Sequence, residues 1–137
     1  MKYLFASLLC LFSYICHSQV YRLRAFSTHV AILNDNGDEI SKPDLWVESE
    51  TVVVINMDKY KIHTYGQKET DIDLTDKIET RDEKDKISFD YTGVDEDGEK
   101  CRITVVVYKT GQKHVATLIV MHINMKMAVI YRLQKDI

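Results

Sequence analysis

Histidines and carboxylates are the residues of this chain whose chemistry suits acid–base catalysis or metal binding. Past the N-terminal stretch, the histidines are His29, His63, His114 and His122. A strand rises about 3.4 Å per residue, so His114 and His122 would lie about 27 Å apart on one strand, too far to share a metal ion. No H-x-H or H-E-x-x-H spacing occurs, although such spacings are typical of metal sites. The sequence therefore predicts no metal site and no cofactor.

The sequence contains no recognisable motif for a serine or cysteine nucleophile. The serines past the N-terminal stretch are Ser27, Ser41, Ser49 and Ser88, and none stands in a G-x-S-x-G elbow. Cys101 heads an apolar run, where a lone cysteine is usually a small buried hydrophobe. We expect no catalytic residues and a protein that is not an enzyme. The alternative is a small secreted hydrolase or metal-dependent enzyme, in which His63 or another histidine works with a nearby carboxylate.

Charge is unevenly distributed along the chain. The segment Gly66–Lys100 holds 13 acidic and 6 basic side chains. Its turn Asp95–Glu99 resembles part of a calcium loop, but the EF-hand pattern would need an aspartate where Gly93 stands. We interpret this turn, and the similar Asn34–Asp38, as hairpin turns. No segment is basic enough to predict a nucleic-acid partner.

The N-terminus has the pattern of a secretory signal peptide. Lys2 precedes the apolar run Tyr3–Ile15, and Cys16-His17-Ser18 places small residues before a cut at Gln19. A membrane anchor is the rival interpretation, but an apolar run of about 13 residues is shorter than the roughly 20 that span a bilayer. We expect residues 1–18 to be removed and residues 19–137 to form one exported domain, periplasmic or extracellular, with no membrane span.

The elements that must position any site are predicted to be strands. Apolar and polar residues alternate in Val20–Ser27 and in Tyr60–Tyr65, and Val52–Ile55 is predicted to be buried on both faces. Three apolar runs, Cys101–Tyr108, Val115–Ile123 and Met127–Leu133, predict a β-meander turning at Thr110–Gln112 and Asn124–Lys126. Pro43 suits an edge or a break. Thr75–Lys86 is predicted to be a charged excursion.

No stretch past the leader has helical periodicity, and about nine or ten short strands are separated mostly by short turns. The fold class is therefore predicted as all-β: a single antiparallel meander, closed or nearly closed into a β-barrel of about 8–10 strands, with a β-sandwich as the alternative.

Aromatic and methionine side chains are the candidate ligand-binding residues. Barrels of this size can hold one small ligand among such side chains. The predicted ligand-binding residues are Trp46, Tyr60, Phe89, Tyr108, Met121 and Tyr131. The other interpretations are a simply packed core and an exposed aromatic surface that binds a protein.

The layout of a leader, about 120 residues of meandering strands and a strand-rich C-terminus resembles the calycin-type barrels, the lipocalins and fatty-acid-binding proteins. The lipocalin G-x-W signature is missing, since Asp44-Leu45 precede Trp46. The opening Tyr21–Ala25, after Ser18-Gln19, is also similar to small exported bacterial β-proteins that are uncharacterised. The calycin resemblance implies a closed barrel with an internal ligand.

Together these patterns predict a secreted or periplasmic, non-catalytic binding protein. It would hold a small apolar ligand inside the barrel or a protein partner on its surface. We expect a monomer or a weak homodimer.

Overall fold

A computed structural model describes residues 19–40, 46–66, 69–110 and 113–135 of the chain. The predicted signal peptide, Pro43, and Gly111 and Gln112 of the predicted turn lie outside the described residues. Among the residues described, no helix has the length and apolar character to cross a membrane.

Nine strands make up the described fold, and every pairing between them is antiparallel. They are β1 (Val20–Ile32), β2 (Val47–Glu48), β3 (Val52–Asn56), β4 (Lys61–Tyr65), β5 (Thr70–Asp82), β6 (Lys86–Val94), β7 (Lys100–Tyr108), β8 (Ala116–His122) and β9 (Met127–Lys135). From β3 onwards the strands pair in chain order, and β1 lies beside β3. β9 then pairs with β1, so eight strands close into a barrel and β2 lies against β1 as an extra strand. The prediction of an all-β closed barrel is confirmed.

The inner face of the barrel is filled by apolar side chains because residues that pair across strands share a face. Tyr91 pairs with Ile103, and Leu118 pairs with Tyr131, and all four point inward. The largest fully buried side chains are Ile62, Ile72, Ile103, Leu118, Leu133, Val53, Thr64 and Cys101. Burying a side chain of the Ile or Leu kind contributes about 1.5–3 kcal/mol. This inner core is what holds the eight strands together.

A second, smaller apolar cluster lies on the outside of β1, β8 and β9. Ala31, Leu33 and Ala128 are buried there, and Ile119 and Ile130 pack against them. Nearby, the ring of His29 lies 5.2 Å from that of Trp46, and the Arg132 guanidinium lies 3.7 Å from the indole centroid. The end of the β1–β2 connection therefore packs on the outer wall of the barrel.

The two turns that begin at Asn34 and Asp95 have the same hydrogen-bond pattern. Asn34 Oδ1 accepts bonds from the backbone N–H groups of residues 36 and 38. Asp95 Oδ1 accepts bonds from those of residues 97 and 99. Each turn needs a positive φ at its glycine, 83° at Gly37 and 79° at Gly98, which glycine adopts without steric cost. Both predictions of a hairpin turn are confirmed.

The predicted charged excursion Thr75–Lys86 is wrong, because β5 continues through it to Asp82. Two irregularities in the pairing with β6, one between Leu74 and Asp76 and one between Lys77 and Glu79, shift the alternation of the strand. The side chains from Thr75 to Asp82 are all exposed, so no apolar pattern marks the strand in the sequence.

Two local predictions also need correction. The sequence predicts that Tyr60 begins the strand that runs to Tyr65, but Tyr60 lies in the preceding turn with φ of 51° and is 58% exposed. The sequence also predicts that Val52–Ile55 is buried on both faces. In the structure Val53 and Ile55 are buried, while Val52 and Val54 are only half-buried on the other face.

Candidate functional site

The six predicted ligand-binding residues do not converge on one place. Phe89 and Tyr131 point into the barrel and pack against its core. Tyr131 extends across the interior, where its hydroxyl is bonded to Thr64 and burial raises its pKa.

The other four lie elsewhere. Trp46 stacks outside the barrel on Arg132, and Tyr60 is exposed in its turn. Tyr108 donates to or accepts from Thr117 at 3.1 Å on the outer face. Met121 lies on the outer face opposite Arg102. Two inner and three outer positions, with one turn residue, do not form a single pocket.

Three of the described histidines, His29, His63 and His122, lie near carboxylates. His29 Nε2 is 2.6 Å from Glu39 Oε1, but His29 is buried beneath Trp46. His63, the histidine singled out from the sequence, lies on the outer side of β4. Its Nδ1 is 3.6 Å from Asp71 Oδ1, and its Nε2 is 3.8 Å from Glu69 Oε2.

A depression of about 270 Å³ opens on the outer wall of β5–β8. It is lined by Glu79, Arg81, Asp90, Arg102, Thr104, Ile119 and Met121, and we call it the Asp90 depression. The Asp90 side chain is only 4% exposed although it points outward. Its Oδ1 accepts a 2.6 Å hydrogen bond from the Thr104 hydroxyl. Its Oδ2 faces the guanidinium groups of Arg81 at 3.4 Å and Arg102 at 3.8 Å.

Charged and apolar side chains together line the Asp90 depression, and Asp90 is the most buried of the charged ones. A buried carboxylate needs compensation by cations and hydrogen bonds, and Arg81, Arg102 and Thr104 supply it. Both arginine side chains are half-exposed, so their remaining N–H donors can face solvent or a ligand. Ile119 and Met121 form the apolar part of the lining. This combination suits a ligand with both an acceptor group and an apolar group.

A second cluster lies at one end of the inner face, where β7 and β8 meet the β6–β7 turn. Cys101 and His122 are direct partners across β7 and β8, and Cys101 Sγ lies 3.5 Å from His122 Nδ1. Asp95 Oδ2 lies 3.6 Å from the same nitrogen. We call these three residues the Cys101 cluster.

The Cys101 cluster does not have the geometry of a nucleophilic triad. In a triad the histidine uses one ring nitrogen for the nucleophile and the other for the carboxylate, whereas Cys101 and Asp95 both face Nδ1 of His122. Burial, followed by the Asp95 carboxylate, raises the pKa of the Cys101 thiol to about 11. A protonated thiol is a weak nucleophile at neutral pH.

Sequence reasoning missed both places. The residues of the Asp90 depression come from four strands. In the sequence, each of its charged residues has the pattern of an ordinary solvent-facing strand position. The only available signal for the Cys101 cluster is the β7–β8 hairpin, whose pairing brings Cys101 opposite His122. Asp95 enters through the preceding turn, which the sequence predicts correctly without showing where its carboxylate points.

Comparisons with known proteins find no family model, no curated protein and no solved structure that matches the chain. The fold itself defines the class of protein: an antiparallel meander barrel of eight strands with one extra strand. Its layout is compatible with that of the calycin-type barrels.

Proposed function

We propose that this protein is an exported, non-catalytic binding protein that engages a protein partner on its outer wall, at the Asp90 depression. The observation that carries the proposal is the outward-facing, buried Asp90 carboxylate between two half-exposed arginines. Arginine and methionine, which both line the depression, are enriched where protein surfaces meet.

The burial of the inward-pointing side chains favours a binding site on the outer wall over a site for an apolar ligand inside the barrel. Inward-pointing Ile62, Ile72, Ile103, Leu118 and Leu133 are essentially inaccessible to solvent. These side chains belong to one cluster of buried residues, and a ligand that displaced them would lose the burial that they now have. The outer depression needs no such displacement.

The edge of β5 favours a polypeptide as the partner. β4 pairs with β5 only from Thr70 to Asp73. Beyond the Leu74 N–H bond to Tyr60, no described strand pairs with Thr75–Asp82 on the side away from β6. An extended partner segment can add to such an edge through its backbone. Glu79 and Arg81 of this edge also line the Asp90 depression, so one segment can reach both.

Site-specific photo-crosslinking in the native host tests the proposal. One variant carries a photo-reactive residue at Met121, in the depression, and a control variant carries it at the exposed Tyr60. We expect a protein adduct from position 121 only, lost when Arg81→Gln and Arg102→Gln are combined and kept in Lys59→Gln, a distant control.

Two outcomes would contradict the proposal. The same adducts from positions 121 and 60 would show contact that is not specific to the depression, and an adduct only with a second copy of the chain would assign the surface to self-association.

Native mass spectrometry of the protein from its host, followed by organic extraction, checks the interior. A released apolar molecule would favour the internal ligand instead.

A further inference from the structure

The Cys101 cluster combines three donor types that bind transition metals. Thiolate, imidazole and carboxylate are the ligands of zinc sites, with Zn–S of about 2.3 Å and Zn–N and Zn–O of about 2.0–2.2 Å. Among the described residues, the side-chain donor atoms of Asp95, Cys101 and His122 all lie within 4.8 Å of one another. They come from a turn and two strands, so the fold brings them together.

Two of the three separations between the donors match those around one tetrahedral ion. With the bond lengths above and tetrahedral angles, the sulfur and nitrogen donors would be about 3.5 Å apart and the nitrogen and oxygen donors about 3.4 Å apart. The observed separations are 3.5 Å for Cys101 Sγ to His122 Nδ1 and 3.6 Å for His122 Nδ1 to Asp95 Oδ2. These two separations match a shared ion, and the donor atoms of Cys101 and Asp95 lie within 4.8 Å of each other.

The two similar turns show that the negative charge of Asp95 is not needed for its turn. Asn34 accepts the same two backbone hydrogen bonds through a neutral amide. At Asp95 those bonds occupy Oδ1 and hold the carboxylate in place, while Oδ2 faces His122. Orientation of a ligand by its second oxygen or nitrogen is typical of metal sites.

The three residues of the Cys101 cluster are also largely buried, which is typical of a metal site. The side chains of Asp95 and His122 are 9% and 14% exposed, and Cys101 is buried. A carboxylate this little exposed is costly unless it is paired with a cation and hydrogen-bonded. A thiolate and a carboxylate together balance the charge of one divalent ion.

We propose that Asp95, Cys101 and His122 form a three-ligand site for a divalent transition metal of the Zn²⁺ type, with a fourth position left for a solvent molecule or a ligand. The sulfur and nitrogen donors favour such an ion over Ca²⁺ or Mg²⁺, which take oxygen ligands. The site lies on the inner face at the barrel end and is separate from the Asp90 depression on the outer wall.

Titration with Co²⁺ tests the site, because cobalt reports its ligands in its absorption spectrum. The protein is purified without an affinity tag, treated with a chelator and titrated with CoCl₂. We expect one Co²⁺ per chain, with a thiolate-to-cobalt charge-transfer band and the intense visible bands of tetrahedral cobalt. Added Zn²⁺ should displace the Co²⁺ and remove both signals.

Variants separate this site from nonspecific binding. Cys101→Ala should abolish the charge-transfer band. Asp95→Asn should keep the turn, as Asn34 does in its own, and weaken Co²⁺ binding by about tenfold or more. His114→Gln is the matched control and should bind as the wild type does. Circular dichroism checks that each variant is folded.

The proposal is overturned if the wild type gives no charge-transfer band. It is also overturned if folded Asp95→Asn and Cys101→Ala bind Co²⁺ as tightly as the wild type does, since the ion would then be held elsewhere.

Discussion

The hydroxyl of Thr104 donates a 2.6 Å hydrogen bond to Oδ1 of Asp90, directly across the β6–β7 ladder on the outside of the barrel. This pair makes a buried carboxylate tolerable on an outward-facing position. It also fixes the orientation in which Asp90 meets Arg81 and Arg102.

Replacing Thr104 by valine should therefore destabilise the fold. Thr104→Val keeps the side-chain shape but removes the hydrogen bond to a charged group, at a cost of about 1.5–3 kcal/mol. Urea denaturation measures the free energy of unfolding. Thr92→Val is the control, because the Thr92 hydroxyl pairs with that of Thr75 at an exposed position; its loss should be below about 1 kcal/mol. Equal losses of unfolding free energy in Thr104→Val and Thr92→Val would contradict the stabilising role of the Thr104–Asp90 hydrogen bond.

Gly93 should not tolerate a side chain. A Cβ there would lie 2.8 Å from Ile103 Cδ1 and 2.9 Å from the carbonyl oxygen of Asp73, and the backbone oxygen cannot move aside cheaply. Overpacking of this kind costs about 1–3 kcal/mol. We expect Gly93→Ala to lower the midpoint of urea unfolding. The double variant Gly93→Ala/Ile103→Val should recover only part of that loss. A midpoint equal to that of the wild type would refute the predicted clash.

The Arg132 guanidinium over Trp46 should stabilise the packing of residues near β2 on the outer wall. A cation–π contact contributes about 0.5–2 kcal/mol, so Arg132→Met should lower the free energy of unfolding by that amount, whereas Arg132→Lys, which keeps the charge, should lose less. Trp46 is the only tryptophan in the chain, so its fluorescence follows this region alone. Unchanged fluorescence and stability in Arg132→Met would contradict the prediction.

His114 should make the fold less stable in acid. Burial, followed by the charge of Arg132, lowers the pKa of His114 below its usual 6.5, and its ring also contacts Phe26, Tyr108 and Thr117. The folded protein therefore binds a proton less readily than the unfolded chain does, so stability decreases as the pH falls below about 6.5.

The His114→Gln variant isolates this contribution, because the other histidines and the carboxylates are unchanged. Urea unfolding at about pH 8 and about pH 5 covers the range in which histidine titrates. We expect the loss of stability between these two pH values to be smaller in His114→Gln than in the wild type. An equal or larger loss in the variant would contradict the lowered pKa.

Much of the fold could be predicted because its strands obey simple rules. Val20–Ser27 alternates, Asn-Gly and Asp-Gly mark tight turns, and the last three apolar runs are strands with short connections, as the structure confirms for β7, β8 and β9. Alternation is visible where one face of a strand is buried. It vanishes in Thr75–Asp82, where two irregularities shift the phase and no side chain is buried.

The candidate sites depend on register and closure, which the sequence does not determine. A three-residue turn centred on Gly111 would place Met121 opposite Cys101, whereas the structure places His122 there. A slip of one residue moves a side chain to the other face of a sheet, so that difference decides whether a metal-binding pair exists. The sequence by itself determined an all-β meander and its turns, because those follow from local patterns. Only the tertiary structure decided which carboxylate meets which cation, because strand pairing brings distant residues together.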